Sequence, residues 1–237
     1  MAIATSASAP LDIVSMHPDT SVVTSAPSNS NITHALRDGL AELRLPCTED
    51  AVEKLAQFVE LLAKWNRVYN LTAVRDSRQM VDLHVLDSAS VVHCLAGVKR
   101  LIDVGTGAGL PGIPLAVLRP EVQVTLLDTV AKKTTFVRQA INELKLGNAT
   151  VVTDRVEKYQ PPELFEVVIS RAFSDLKDFV EIAGHLLERG GQMFAMKGVF
   201  PHDEIARLPP PFRVVDVHAL RVPGVDAQRH LVVIEKS

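Results

Sequence analysis

The sequence predicts an α/β protein: a Rossmann-like, doubly wound sheet of about seven strands behind a short helical N-terminal region. Three observations predict it. After Gly97, short apolar runs alternate with amphipathic helical stretches, the pattern of a mostly parallel sheet. The first of those runs leads directly into a glycine-rich turn, Gly105-Thr106-Gly107-Ala108-Gly109. The chain of 237 residues, 47% hydrophobic and 22% charged, is long enough to bury a core without disulfides or metals.

Residues 1–31 are rich in Ser, Thr, Ala and Pro and follow neither a helical nor an alternating period, so they read as a flexible tail. They lack the basic start and unbroken apolar stretch of a secretory signal. Residues 32–97 form the helical region. Ala35, Leu36, Leu40 and Leu43 share one face of a first helix that Pro46 stops. Thr48 is placed to cap a second, with Glu49 and Asp50 at its positive end. Val52, Leu55, Val59, Leu62, Trp65 and Tyr69 then recur at helical spacing until Asn70-Leu71-Thr72 breaks the run. Asp76, with Gln79 three residues on, resembles the capping box of a third helix.

Residues 98–237 carry the sheet. Strands are expected at Leu101–Val104, Val122–Leu127, Thr150–Thr153, Phe165–Ser170 and Gln192–Met196, with two more at Val214–Leu220 and His230–Ile234. Helices are expected at Ala131–Leu144 and at Asp175–Leu187, the latter closed by Gly190-Gly191. Right-handed crossovers bring the strand-end loops to one edge, where ligands bind.

Composition removes several classes. Cys47 and Cys94 form no disulfide framework and indicate a reducing compartment, hence the cytoplasm. No uncharged apolar run reaches the roughly 20 residues that span a bilayer, so no membrane role is expected. The formal net charge of -3 gives no global attraction to nucleic acid, so RNA binding would need a local basic face. No grouping of side chains calls for a metal.

The glycine turn decides the chemistry. Gly107-Ala108-Gly109-Leu110-Pro111-Gly112 matches G-x-G-x-x-G, which alone suggests a dinucleotide fold. Asp103, two residues before Gly105, is foreign to that fingerprint. An acid there characterises class I methyltransferases, which use S-adenosylmethionine; it orients the loop or meets the cationic end of the cofactor. Asp128, closing the second strand, suits the ribose hydroxyls under either reading. Asp154-Arg155-Val156-Glu157, after the third strand, stands where such enzymes hold adenine.

The segment after the fourth strand, Ser170-Arg171-Ala172-Phe173, faces the acceptor. It lacks the Pro-Pro-aromatic loop used for exocyclic amines, and Cys47 lies far from where a nucleophile for carbon methylation would stand. An acceptor needing neither nucleophile nor strong base fits, and guanine N7 is one. Arg171 then reaches guanine O6 or a phosphate.

Further motifs narrow the reading. Trp65-Asn66-Arg67-Val68-Tyr69-Asn70-Leu71-Thr72, His84-Val85-Leu86-Asp87-Ser88, the loop from Asp103 to Gly112, Ser170-Arg171-Ala172, Lys197-Gly198 and Arg229-His230-Leu231-Val232-Val233-Ile234 occur in that order. Together they resemble the bacterial 16S ribosomal RNA guanine-N7 methyltransferases, from about residue 35 to the C-terminus. The resemblance implies a class I S-adenosylmethionine-dependent methyltransferase acting on a guanine of the 530 loop, nucleotide 527. It implies cofactor contacts from Gly105, Leu110, Asp128, Val156, Glu157 and Arg171, and Asp103, Gly107 and Gly109 of the same loop are expected to bind the cofactor with them. Arg171, Lys197 and His84 are the catalytic candidates, and Asn66, Asn70 and Asp87 are expected to line the site. The expected partner is 16S rRNA, the small ribosomal subunit or an assembly intermediate, bound by a monomer. Basic side chains such as Arg75, Arg78, Lys132, Lys133, Arg138, Arg221 and Arg229 are available for phosphates. Two other readings stay open: a methyltransferase for a small molecule or protein, and a non-catalytic factor that binds S-adenosylmethionine or RNA during ribosome assembly.

Overall fold

A computed structural model describes residues 29–171 and 173–237. The expected tail lies outside the described residues as far as position 28, as does Ala172 of the acceptor segment. Residues 29–31, assigned to the tail from sequence, instead belong to the first turn of helix α1 (Asn29–Glu42).

α2 (Glu49–Tyr69) begins as its sequence directs: the Thr48 hydroxyl accepts from Ala51 N at 3.2 Å, and two acids occupy the first turn. Val52, Leu55, Val59 and Leu62 bury the stripe that their spacing defines. Asn70 ends the helix in the left-handed region, φ 50°, its N–H returning to Asn66 O. Asp76 caps the single turn α3 (Ser77–Met80) through Gln79 N at 2.8 Å. The chain then widens into a π-helical stretch, Val81–Leu86, before α4 (Asp87–Ala89). Periodicity could not reveal that widening. π turns recur at functional sites, and this one carries His84.

The sheet comprises β1 (Arg100–Val104), β2 (Gln123–Asp128), β3 (Ala149–Thr153), β4 (Phe165–Ser170), β5 (Leu187–Lys197), β6 (Phe212–Ala219) and β7 (His230–Lys236). Their order is β3-β2-β1-β4-β5-β7-β6. The ladders among β1 to β5 are parallel, while β7 runs antiparallel to both neighbours. The strand order reverses beside β1, which lies between β2 and β4. That switch point opens the crevice in which doubly wound sheets bind ligands.

Helices α5 (Gly112–Leu118), α6 (Ala131–Glu143), α7 (Leu176–Ala183) and α8 (His202–Ala206) complete the layers. Alternation along the strands divides the core. Leu101, Val167 and Ile169 face a cluster that includes Leu36, Phe58, Leu62 and Phe136. Ile102, Val104 and Val168 face Leu176 and Phe179. α1 and α2 therefore supply part of the layer that covers one face of the sheet.

One boundary differs from the expectation. The α-helix from Asp175 ends at Ala183 and tightens into a 3-10 turn, Gly184–Leu186, while Leu187–Gly191, assigned to its last residue and closing turn, belong to β5. A Cβ on Gly184 would lie 2.4 Å from the Phe212 ring, so close packing against β6 occupies the helix end. The ladder absorbs the added length through a register shift between Phe165 and Val167.

Candidate functional site: a glycine-loop cleft joined to an arginine-walled cleft

The loop after β1 turns tightly because Gly105, Gly107 and Gly109 have φ of 70°, 58° and 79°, which side-chain-bearing residues rarely adopt. Asp103 lies beneath it, wholly buried. Its Oδ2 accepts from Thr106 Oγ1 at 2.6 Å and from Gly112 N at 2.8 Å, tying the two ends of the loop together. Burial pushes this carboxyl up to about 6, opposed by the Thr106 and Gly112 hydrogen bonds and by the charge of Arg171. Of the two roles open to Asp103, the geometry favours orienting the loop over touching a ligand.

Asp128, at the end of β2, accepts from Gly107 N with Oδ2 and from Val130 N with Oδ1, both at 2.9 Å. The loop and the second acid are thereby fixed to one another. A cleft of about 180 Å³ opens on the loop, lined by Leu71, Thr72, Gly105, Gly107, Leu110 and Arg171 among others. Gly109 turns inward instead: a Cβ there would meet Ile113 and Val137. Val156 is half-buried against the lower core, and the exposed Glu157 borders a separate opening with Thr129, Asp154 and Arg155. The expected cofactor residues thus divide between the ends of β1 and β4 and the ends of β2 and β3.

Arg171 also borders a second cleft of about 440 Å³, whose walls include His84, Asp87, Lys197, Arg229 and His230. All three catalytic candidates meet here, each already engaged. His84 is 7% exposed. Its Nδ1 faces Leu83 O at 2.9 Å, which makes Nδ1 the donor, so Nε2 accepts from the Thr72 hydroxyl at 2.8 Å. Burial, reinforced by Arg171, lowers this imidazole to about 4, so it is neutral at pH 7. Lys197 donates to Ser174 O at 2.8 Å and pairs with Glu204 at 2.7 Å. Glu204 also accepts from Leu176 N, so the pair holds the segment leaving β4.

Asn66 and Asn70 shape the wall from behind. Asn66 Nδ2 donates to Val74 O at 2.8 Å and its Oδ1 accepts from Thr72 N at 2.9 Å. Arg75 donates to Asn66 O and to Asn70 Oδ1, spanning the same loop. Together they place Leu71 and Thr72 over the glycine-loop cleft. Of the other basic side chains, Arg78 pairs with Asp82 and Arg221 with Glu42.

Sequence reasoning missed Glu204, named Thr72 and His230 only as members of longer motifs, and counted Arg229 among the bases available for phosphates without placing it in the cleft. The antiparallel return of β7 sets His230 opposite Lys197, a register that no local pattern announces. Cys47 is exposed and Cys94 half-buried, both free thiols. Among the described residues, no helix is long and apolar enough to cross a membrane.

A doubly wound sheet with one reversed strand, a glycine loop held by a buried acid and a second acid closing β2 define a class I S-adenosylmethionine-dependent methyltransferase. The chain belongs to the rRNA small subunit methyltransferase G family, whose model matches residues 51–232. It is 54% identical over 200 residues to ribosomal RNA small subunit methyltransferase G of Chromobacterium violaceum, covering 84% of this chain and 96% of that one. It is 54% identical over 206 residues to the protein of that name from Aromatoleum aromaticum, covering 85% and 98%. Among solved structures, the S-adenosylmethionine-dependent methyltransferase SibL shares the fold at a TM-score of 0.54 and 18% identity, over 86% of this chain and 76% of that one.

Proposed function

We propose that the protein methylates N7 of a guanine in the 530 loop of 16S rRNA, nucleotide 527, with S-adenosylmethionine as methyl donor. The observation that carries this reading is the place of Arg171, on the wall shared by the glycine-loop cleft and the larger cleft. A donor held in the first would present its methyl group to an acceptor in the second.

Gly105, Gly107, Leu110 and Arg171 would hold the amino-acid end of the donor, Asp128 the ribose, and Val156 and Glu157 the adenine side. The fit is good at Gly107, where added bulk would meet only Gly105 O, at 3.8 Å, so the space above the loop is open. S-adenosylmethionine supplies an electrophilic methyl group on a sulfonium. The N7 lone pair accepts that methyl group with no proton to remove, so neither His84 nor Asp87 is needed as a base. His84 spends its acceptor nitrogen on Thr72, and both Asp87 oxygens hold arginines. What remains is alignment and exclusion of water, with an arginine donor for O6.

The test is transfer of labelled methyl from S-adenosylmethionine to unmethylated small subunits and to naked 16S rRNA, with the modified nucleotide mapped. Label at guanine N7 of nucleotide 527 is expected. Label on a small molecule or a protein alone, or cofactor binding with no transfer, overturns the reading.

A further inference from the structure

The larger cleft holds a charge arrangement that methyl transfer to N7 does not itself require. Asp87, 3% exposed, serves two guanidinium groups, one on each oxygen. Arg171 Nη1 donates to Oδ2 at 3.0 Å and Arg229 Nε to Oδ1 at 2.9 Å. These arginines come from the end of β4 and the entry to β7, so one carboxylate ties opposite parts of the wall together. Arg229 Nη1 donates to Gln228 O at 2.9 Å. Its Nη2 meets no protein acceptor among the described residues, although the side chain borders the cleft.

The charges do not cancel. Lys197 is matched by Glu204 and His84 is neutral, leaving two guanidinium groups against one carboxylate. Partly buried ion clusters seldom repay their desolvation in stability, and apolar packing of the same volume commonly does as well. An excess cation with a spare donor, facing an open cleft, instead suits an anionic ligand. A phosphodiester carries one negative charge and presents paired oxygens to a guanidinium edge.

We propose that Arg229 anchors the phosphodiester of the acceptor nucleotide, and that Asp87 is the positioning residue that aims Arg229 and Arg171 from one carboxylate. The proposal rests on the RNA reading above and adds the group that seats the nucleotide.

Salt dependence separates a phosphate contact from a structural role. Affinity for unmethylated small subunits, measured across a series of salt concentrations, falls with a log–log slope set by the number of phosphates neutralised. Arg229→Gln keeps an amide donor for Asp87 but removes the charge. Its slope should be shallower than wild type by about 0.7 to 0.9, with KM for the subunit raised about tenfold. The effect should fall on KM more than on kcat, and S-adenosylhomocysteine affinity should stay within about twofold. Arg229→Lys should recover the wild-type slope, which a loss of packing would not. If the wild type methylates the subunit but Arg229→Gln keeps the wild-type slope, Arg229 is not a phosphate anchor. If the wild type transfers no methyl to RNA, the functional reading itself fails.

Discussion

At the residue scale, the two strongly shifted groups act on stability in opposite senses. Asp103 is raised from 3.8 to about 6, chiefly by burial, so its contribution is complete below pH 3.8 and is lost as pH rises through 6. His84 is lowered from 6.5 to about 4, again chiefly by burial, so its contribution is present above pH 6.5 and is lost as pH falls toward 4. Between about pH 4 and 6 the two slopes oppose each other, each approaching one proton. Urea unfolding of His84→Gln should therefore show less acid destabilisation than wild type, and Asp103→Asn should show more. Parallel pH profiles for all three proteins would remove both assignments. The glycines separate similarly. Gly107→Ala places its Cβ over the cleft, 3.8 Å from Gly105 O, at φ 58°. It should cost about 1 to 2 kcal/mol of stability and weaken S-adenosylhomocysteine binding at least tenfold by calorimetry. Gly112→Ala drives its Cβ to 2.6 Å from Leu126 and 2.8 Å from Asp103 Oδ2, so its main loss should appear in thermal unfolding. Asp103 and Gly105 were legible because an acid and glycines at that spacing have few other uses. The partners of His84 and Lys197 were not, because Thr72 and Glu204 reach them only through the fold.

At the element scale, the segment after β4 depends on a residue far along the chain. Lys197, on the last position of β5, and Glu204, in α8, clamp the backbone at Ser174 and Leu176 just beyond Arg171. Glu204→Ala should release both contacts and leave a mostly buried ammonium without its carboxylate, costing about 1 to 3 kcal/mol. Because Arg171 borders both clefts, methyl transfer should fall further than stability predicts, and Glu204→Gln should restore part of it through the Leu176 N–H. Equal losses of activity and stability in Glu204→Ala would confine the pair to a structural role. The elements themselves were largely readable. Thr48, Asn70 and Asp76 sit where caps are needed, and the apolar runs are the strands. The overrun of α7 had a physical cause outside its own sequence. The helical pattern runs to Leu186, its last turn tightened to 3-10 where Gly184 packs beneath Phe212, and only pairing with Phe165 in the assembled sheet draws Leu187 into β5.

At the scale of the whole molecule, the helical region and the sheet share one core. Phe58 and Trp65 of α2 meet Phe136 of α6 at ring-centroid distances of 6.2 and 5.6 Å, and Leu36 and Leu62 lie in the same cluster as Leu101 and Ile169. The same region supplies Leu71, Thr72, His84 and Asp87, so the site is built from both parts of the chain. Sequence could mark where the helical pattern ends near Gly97 but not that its apolar stripe closes on the sheet. Two amphipathic surfaces do not declare that they are partners. Unfolding should therefore be a single transition. Trp65, the one tryptophan of the sequence, reports the helical region, while far-ultraviolet circular dichroism reports the chain as a whole. Their denaturant midpoints should coincide. Phe58→Ala, at a fully buried position, should lower both midpoints together, with a loss of about 3 to 5 kcal/mol in unfolding free energy. A tryptophan transition that precedes the dichroism change would mean that the two parts fold independently. In that case the walls supplied by Thr72 and Asp87 could be lost while the glycine loop survived, and the expressed segment 98–237 would still bind S-adenosylhomocysteine. With a shared core, that segment should neither fold nor bind.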